Sequence, residues 1–260
     1  MSALPPSSEQ AALDPGTWSA PVVGVLGGLG PAATAVFLDV LVRATSAPTD
    51  QDHLDVIVSQ HSSTPDRTAA ILDPTAPDPG PVIARDARVL ERIGAEILVL
   101  PCNTAHHFVR AVQEALSDRV RFLSIVEHTS ATAAHRAGAE RPVAVFATEG
   151  NMRAGVYRDA LERIGQPSWE PPRALQESIN TLIYDQVKAG APVDRDLFDR
   201  CIDEAIDAGA GVVVLGCTEL SVIFDQHGFR GDERIVDSLT ELALATVTAA
   251  GKDISPAFRR

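Results

Sequence analysis

Glu96-Ile97-Leu98-Val99-Leu100-Pro101-Cys102-Asn103-Thr104-Ala105-His106 decides the fold, because the chain repeats its plan 115 positions later as Gly211-Val212-Val213-Val214-Leu215-Gly216-Cys217-Thr218-Glu219-Leu220. A short apolar run closed by Pro or Gly reads as a strand buried on both faces of a parallel sheet. The polar residues after each cysteine read as a loop entering a helix, marked in the first copy by Phe108, Val112 and Leu116. Further strands are expected at 22–26, 55–59 and 143–147, and the first strands of the two halves are offset by 121 positions. Gly27-Gly28-Leu29-Gly30-Pro31 follows the first strand as a turn, with Pro31 suited to the first position of a helix whose apolar face is Phe37, Val40, Leu41 and Ala44. Helices are expected at 82–93, 153–164, 178–189, 195–208 and 240–250, while 73–81, rich in Pro and Asp, reads as irregular.

Strands alternating with helices predict the α/β class: two similar Rossmann-like α/β domains with parallel sheets, right-handed crossovers and a cleft between them. The division falls near 123–127. Residues 20–125 with 234–260 form the expected first domain, 126–233 the second, and the last helix returns to the first. Residues 1–19, with Pro5, Pro6, Pro15, Ser7 and Ser8, read as a disordered tail. In parallel sheets ligands sit beyond the carboxyl ends of the strands. Two domains facing each other would therefore set Cys102 and Cys217 across one cleft.

Of the 260 residues, 45% are hydrophobic, enough for a sizeable core, and 22 Lys+Arg against 35 Asp+Glu give a net charge of -13. That balance argues against nucleic acid or an anionic membrane surface as partner. Three cysteines make no closed disulfide framework and show no metal-type C-x-x-C spacing, so no metal is expected and a reducing compartment is the simpler reading. No basic, apolar leader opens the chain and no apolar run is long enough to span a bilayer, so a cytoplasmic location is expected.

A thiol at a helix start can have its pKa lowered by the helix dipole. Asn103, Thr104 and Thr218 are donors placed to hold a carboxylate at the same helix starts. One such cysteine alone would read as a small buried residue; two in matching contexts read as a pair. Cys201, spaced with Leu197, Ile202 and Ala205, reads as core. Arg67 lies in a strand-end loop where its fork of donors can hold a carboxylate, though a solvated charge or a pairing with Asp66 serves that position equally well. Lys188 is one of only two lysines, with Lys252, and is either a second clamp or a solvent-facing charge. His106 and His107 are either tuners of Cys102 or structural, and Asp66 and Glu219 are candidates to assist the thiols.

Gly28-Leu29-Gly30-Pro31-Ala32-Ala33 formally matches a dinucleotide-binding turn. The acidic residue that should close the second strand is missing, since Ser59-Gln60-His61 stands there, and Pro31 removes a backbone donor. A dinucleotide oxidoreductase is thereby disfavoured.

Taken in order, residues 24–34, Asp50-Gln51-Asp52-His53, Pro65-Asp66-Arg67-Thr68, 101–106, Ala147-Thr148-Glu149-Gly150 and Gly216-Cys217-Thr218-Glu219 resemble the aspartate/glutamate racemase family, aspartate racemases above all. The resemblance runs through most of 22–247. It implies racemisation of an acidic amino acid, aspartate before glutamate, with no cofactor and no pyridoxal phosphate. Cys102 and Cys217 match the two catalytic cysteines, one removing the α-proton as thiolate and the other protonating the opposite face as thiol. Arg67 matches the family's side-chain carboxylate clamp and Lys188 its supporting lysine. Asn103, Thr104, Thr148 and Thr218 match substrate-binding positions, with Gly28, Asp66, His106, Asn151 and Glu219 as supporting residues. A homodimer is implied as well. Asn151 departs from the pattern, since threonine is usual there. A broad-specificity amino-acid racemase and a maleate isomerase-like enzyme stay open as alternatives, and outside catalysis a small-ligand binding protein using the same cleft.

Overall fold

The structure is a computed structural model that describes Trp18 and residues 21–259. The expected tail thus lies almost wholly outside the described residues. Two four-stranded sheets, parallel throughout, carry the chain. The first contains β1 (Val23–Gly27), β2 (Val56–Gln60), β3 (Ile97–Val99) and β4 (Arg121–Leu123) in the order β2-β1-β3-β4. The second contains β5 (Val143–Phe146), β6 (Ser168–Trp169), β7 (Val212–Leu215) and β8 (Ile235–Asp237) in the order β6-β5-β7-β8. The orders are the same when each sheet is counted from its own first strand, so the repeat inferred from the cysteine motifs extends to topology.

Side chains alternate across a strand with period two, and this divides the apolar runs between three cores. Val23, Val25, Ile97 and Val99 of the first sheet, with Val143, Val145, Val212 and Val214 of the second, point into one core common to both halves. Helices α1 (Pro31–Ala44), α5 (Ile125–Ala137), α7 (Val156–Arg163) and α11 (Ser238–Ala249) fill it. The alternate residues face outward. Leu98, Leu100 and Cys102 pack under α3 (Gly80–Arg92), while Val213, Leu215 and Cys217 join the core of α8 (Arg173–Asn180), α9 (Arg195–Asp207) and α10 (Thr218–Gln226). The remaining helices, α2 (Arg67–Leu72), α4 (Val109–Ala115) and α6 (Glu149–Ala154), are short and sit near the strand ends.

Four expectations are corrected. The stretch 234–260 does not belong wholly to the first half: β8 pairs with β7 in the second sheet, Val214 opposite Val236, and only from Ser238 does the chain return to pack α11 on α1. The helix expected at 153–164 is interrupted at Gly155, leaving α6 and α7. The helix expected at 178–189 begins earlier, after Pro172, and widens into a π-helical segment, Thr181–Lys188. The chain after Cys102 first winds as a 3-10 turn, Thr104–Phe108, before α4 begins. No described helix is long and apolar enough to cross a membrane.

Candidate active site

The carboxyl ends of β1, β3, β5 and β7 meet around a narrow cleft. It is lined by Cys102, Asn103 and Thr104 from one cysteine loop and Cys217, Thr218 and Glu219 from the other. Asp66, Arg67, Lys188 and Thr148 complete the polar wall. Both thiols are buried, at 6% and 4% exposure, and neither forms a disulfide.

Local structure aims each group. Asp66 caps α2 by accepting from the Ala69 N–H at 2.7 Å, which sets Arg67 at the first helical position. The Arg67 guanidinium donates to the carbonyls of Thr64 at 3.4 Å and Pro65 at 3.2 Å, leaving donors for a ligand. Thr148 caps α6 by accepting from Asn151 N–H at 3.2 Å, and its hydroxyl meets that of Thr104 across the halves at 3.0 Å. Lys188 stands at the end of the π-helical segment, its ammonium 4.7 Å from the Tyr184 ring centre and 3.9 Å from Glu219 Oε1.

The two thiols differ in charge environment. Burial pushes the Cys102 thiol up, opposed chiefly by the Arg67 guanidinium. The expectation that a helix start lowers its pKa fails because the thiol is desolvated and no α-helix begins there. Cys217 is the residue capping α10, yet burial and then the Glu219 carboxylate push its thiol well above the ordinary value, with Lys188 opposing. Its Sγ donates to Glu219 Oε2 at 2.9 Å. Burial also lowers the Lys188 charge's stability, but Glu219 and Cys217 outweigh it and its pKa is raised.

Three expected residues are not among those lining the cleft. Gly28 works behind it: its φ of +90° and a would-be β-carbon 2.7 Å from the His61 backbone leave no room for another residue. His106 is buried and its Nδ1 lies 2.9 Å from the Cys102 carbonyl, while Ile125 N–H donates to Nε2 at 3.3 Å. Accepting at Nε2 makes Nδ1–H the donor to that carbonyl, and burial holds the pKa down to about 4. Asn151 is buried, neither of its amide atoms has a hydrogen-bond partner among the described residues, and it lines a neighbouring pocket with Tyr157 and Trp169. Two lining residues, Leu29 and Thr68, were not expected at the site, although each lies within a quoted motif. Asn103 lines the cleft, but its amide is engaged: Oδ1 accepts from Tyr157 Oη at 2.5 Å and Nδ2 donates to Ser238 Oγ at 2.9 Å.

A model of the Asp/Glu/Hydantoin racemase family matches residues 26–246. The broad specificity amino-acid racemase RacX of Bacillus subtilis is 27% identical over 231 residues, covering 87% of this chain and 97% of that protein. Picrophilus torridus aspartate racemase superposes with a TM-score of 0.75 at 26% identity, over 92% of this chain and 98% of the other. Glutamate racemase from Francisella tularensis, in complex with D-glutamate, superposes at 0.60 with 15% identity, over 88% and 80%, and shows the shared fold alone. With the family matched across most of its length, the chain belongs to the Asp/Glu/Hydantoin racemase family and is an amino-acid racemase.

Proposed function

We propose that the enzyme racemises an acidic amino acid, aspartate before glutamate, by passing the α-proton between Cys102 and Cys217 without an electron-sink cofactor. The observation that carries this reading is the joint lining of one small cleft by both buried thiols and the cations Arg67 and Lys188. A substrate with a second carboxylate suits a wall with two cations; the guanidinium offers paired donors and the ammonium a point charge.

The thiolate of one cysteine takes the proton from Cα, and the thiol of the other delivers its own to the opposite face. The reverse reaction exchanges the roles. Because burial raises both pKa values, the thiolate has to be formed against desolvation. Arg67 opposes that cost at Cys102, and at Cys217 the Glu219 oxygen already accepts the Sγ–H and is placed to take the proton. Negative charge growing on the α-carboxylate needs donors fixed in advance in a dry site, a part that suits the Thr104, Thr148 and Thr218 hydroxyls.

The test is proton NMR in deuterated water with L-aspartate, then L-glutamate, using enzyme free of metal and pyridoxal. Loss of the α-proton signal with appearance of the D enantiomer is expected. Folded, reduced protein that exchanges neither substrate would overturn the assignment to acidic amino acids. A broader range is the second reading, supported by the RacX likeness over nearly its whole length. It requires monocarboxylic amino acids to turn over at comparable rates.

A further inference from the structure

Tyr157 touches the loops of both cysteines at once. It is the second residue of α7, in the second half of the molecule, and is 1% exposed. Its hydroxyl donates to Asn103 Oδ1 at 2.5 Å, one residue after Cys102. Its ring lies against Gly216, one residue before Cys217: a β-carbon on Gly216 would stand 2.9 Å from Tyr157 Cε2 and 3.1 Å from Cδ2. Asn103 is fixed in turn by its bond to Ser238 Oγ, where α11 begins, so its amide has a determined orientation. A rigid aromatic ring with a polar tip thus spans from one thiol's loop to the other's.

We infer that Tyr157 is the spacer that sets the separation of the two thiols, a positioning residue for proton transfer to opposite faces of the substrate. The inference rests on the two-thiol reading. Each thiol must reach Cα from its own side at near-attack distance, and a misplacement of about 1 Å can cost on the order of 10²-fold in rate. The bond of Thr104 to Thr148 also joins the two halves, but on the α6 side and away from the Cys217 loop. The glycine before Cys217 follows from the same contact, because any side chain would drive the ring and the loop apart.

The chemistry predicts a signature beyond lost activity. When the gap widens, the carbanion formed by one thiolate is protonated more slowly by the distant thiol. The first thiol then returns its proton to the face it came from, and the starting enantiomer is regenerated. In deuterated water, after that thiol has exchanged with solvent, deuterium enters recovered substrate more often relative to inverted product.

Tyr157→Phe keeps the ring and removes the hydroxyl; Gly216→Ala keeps the hydroxyl and pushes on the ring. Both are to be assayed with the amino acid turned over fastest. Each is expected to lower kcat by about 10- to 100-fold in both directions with KM changed by less than about 3-fold. Each should also raise the ratio of deuterium in recovered substrate to deuterium in product. Folded variants with an unchanged ratio and unchanged kcat would overturn the inference, as would a loss confined to thermal stability. If Tyr157→Phe does not fold, Gly216→Ala decides by the same ratio. Cys102→Ser and Cys217→Ser, run alongside, separate the two failures: racemisation surviving in either would remove the two-thiol reading itself, whereas loss in both with wild-type ratios in the spacer variants would remove only the spacer.

Discussion

The two cysteine loops follow equivalent strands of their two sheets and line one cleft, yet they surround the thiol differently. Cys102 leads into a 3-10 turn, its carbonyl is held by a neutral His106, and Arg67 is the main charge opposing desolvation. Cys217 stands just before a nine-residue helix and donates its Sγ–H to Glu219, which is itself beside Lys188. Arg67 opposes the effect of burial at Cys102, whereas Glu219 adds to it at Cys217. The repeated scaffold thus gives its two thiols unequal charge environments, which under the proposed two-thiol mechanism serve a reaction whose substrate and product are mirror images.

Symmetry limits where this inequality can show. The equilibrium constant between enantiomers is one, so kcat/KM must stay equal in the two directions in every variant. The strongest break is removal of a thiol: Cys102→Ser and Cys217→Ser should each cut racemisation by more than on the order of 10³-fold. Each should leave α-proton exchange from one enantiomer only, and from opposite enantiomers, as followed by NMR in deuterated water.

Glu219→Gln probes one loop alone. A loss of about 10²-fold in kcat/KM is expected, equal both ways, within the range for a lost proton-transfer partner. The α-deuterium isotope effect on kcat/KM should grow in the direction in which Cys217 removes the proton and fall in the other, where reprotonation becomes limiting. Equal growth in both would show that Glu219 serves the whole cleft.

Arg67→Ala should raise KM for aspartate about 10- to 100-fold, the worth of a charge-assisted hydrogen-bonding pair, while changing KM for alanine little. A parallel rise for alanine would move Arg67 from the side-chain carboxylate to the α-carboxylate.

The smallest effect concerns His106. Its folded pKa is about 4 against an ordinary 6.5, so the unfolded chain binds the proton more readily. Its contribution to stability is present above about pH 6.5 and is lost as pH falls toward 4. Between pH 7 and 5.5 this amounts to about 1 kcal/mol. Urea midpoints should show that decline, and His106→Gln should flatten it; an unchanged slope would place the acid sensitivity elsewhere.

The sequence made the long Val-rich strands legible because an apolar run between turn residues has few other uses. Two strands without such a run were not. Ser168–Trp169 has two residues, and Ile235–Asp237 follows the charged Asp232-Glu233-Arg234, so neither produces a pattern long enough to read. Missing β8 is what displaced the expected division of the chain. At the site, motifs identified the residues near the thiols but not what occupies them. Asn103 looks like a free donor in sequence, and only the fold brings Tyr157 and Ser238 onto its amide. Tyr157 itself passes for one more apolar position on a helix. The pKa direction at Cys102 went against the motif because burial, a property of the whole molecule, outweighs a local turn.

The late return of α11 has a consequence for synthesis. Helix α1 leaves the ribosome well before α11, the helix that packs on it, which is made only after the entire second sheet. Until then Val36, Phe37 and Val40 of the common core lack their final neighbour, and the nascent first half presents an adhesive apolar surface to whatever is nearby. A chain stopped before Ser238 should bind a hydrophobic dye far more strongly than the whole protein, and a chaperone that shields exposed apolar surface should delay its aggregation.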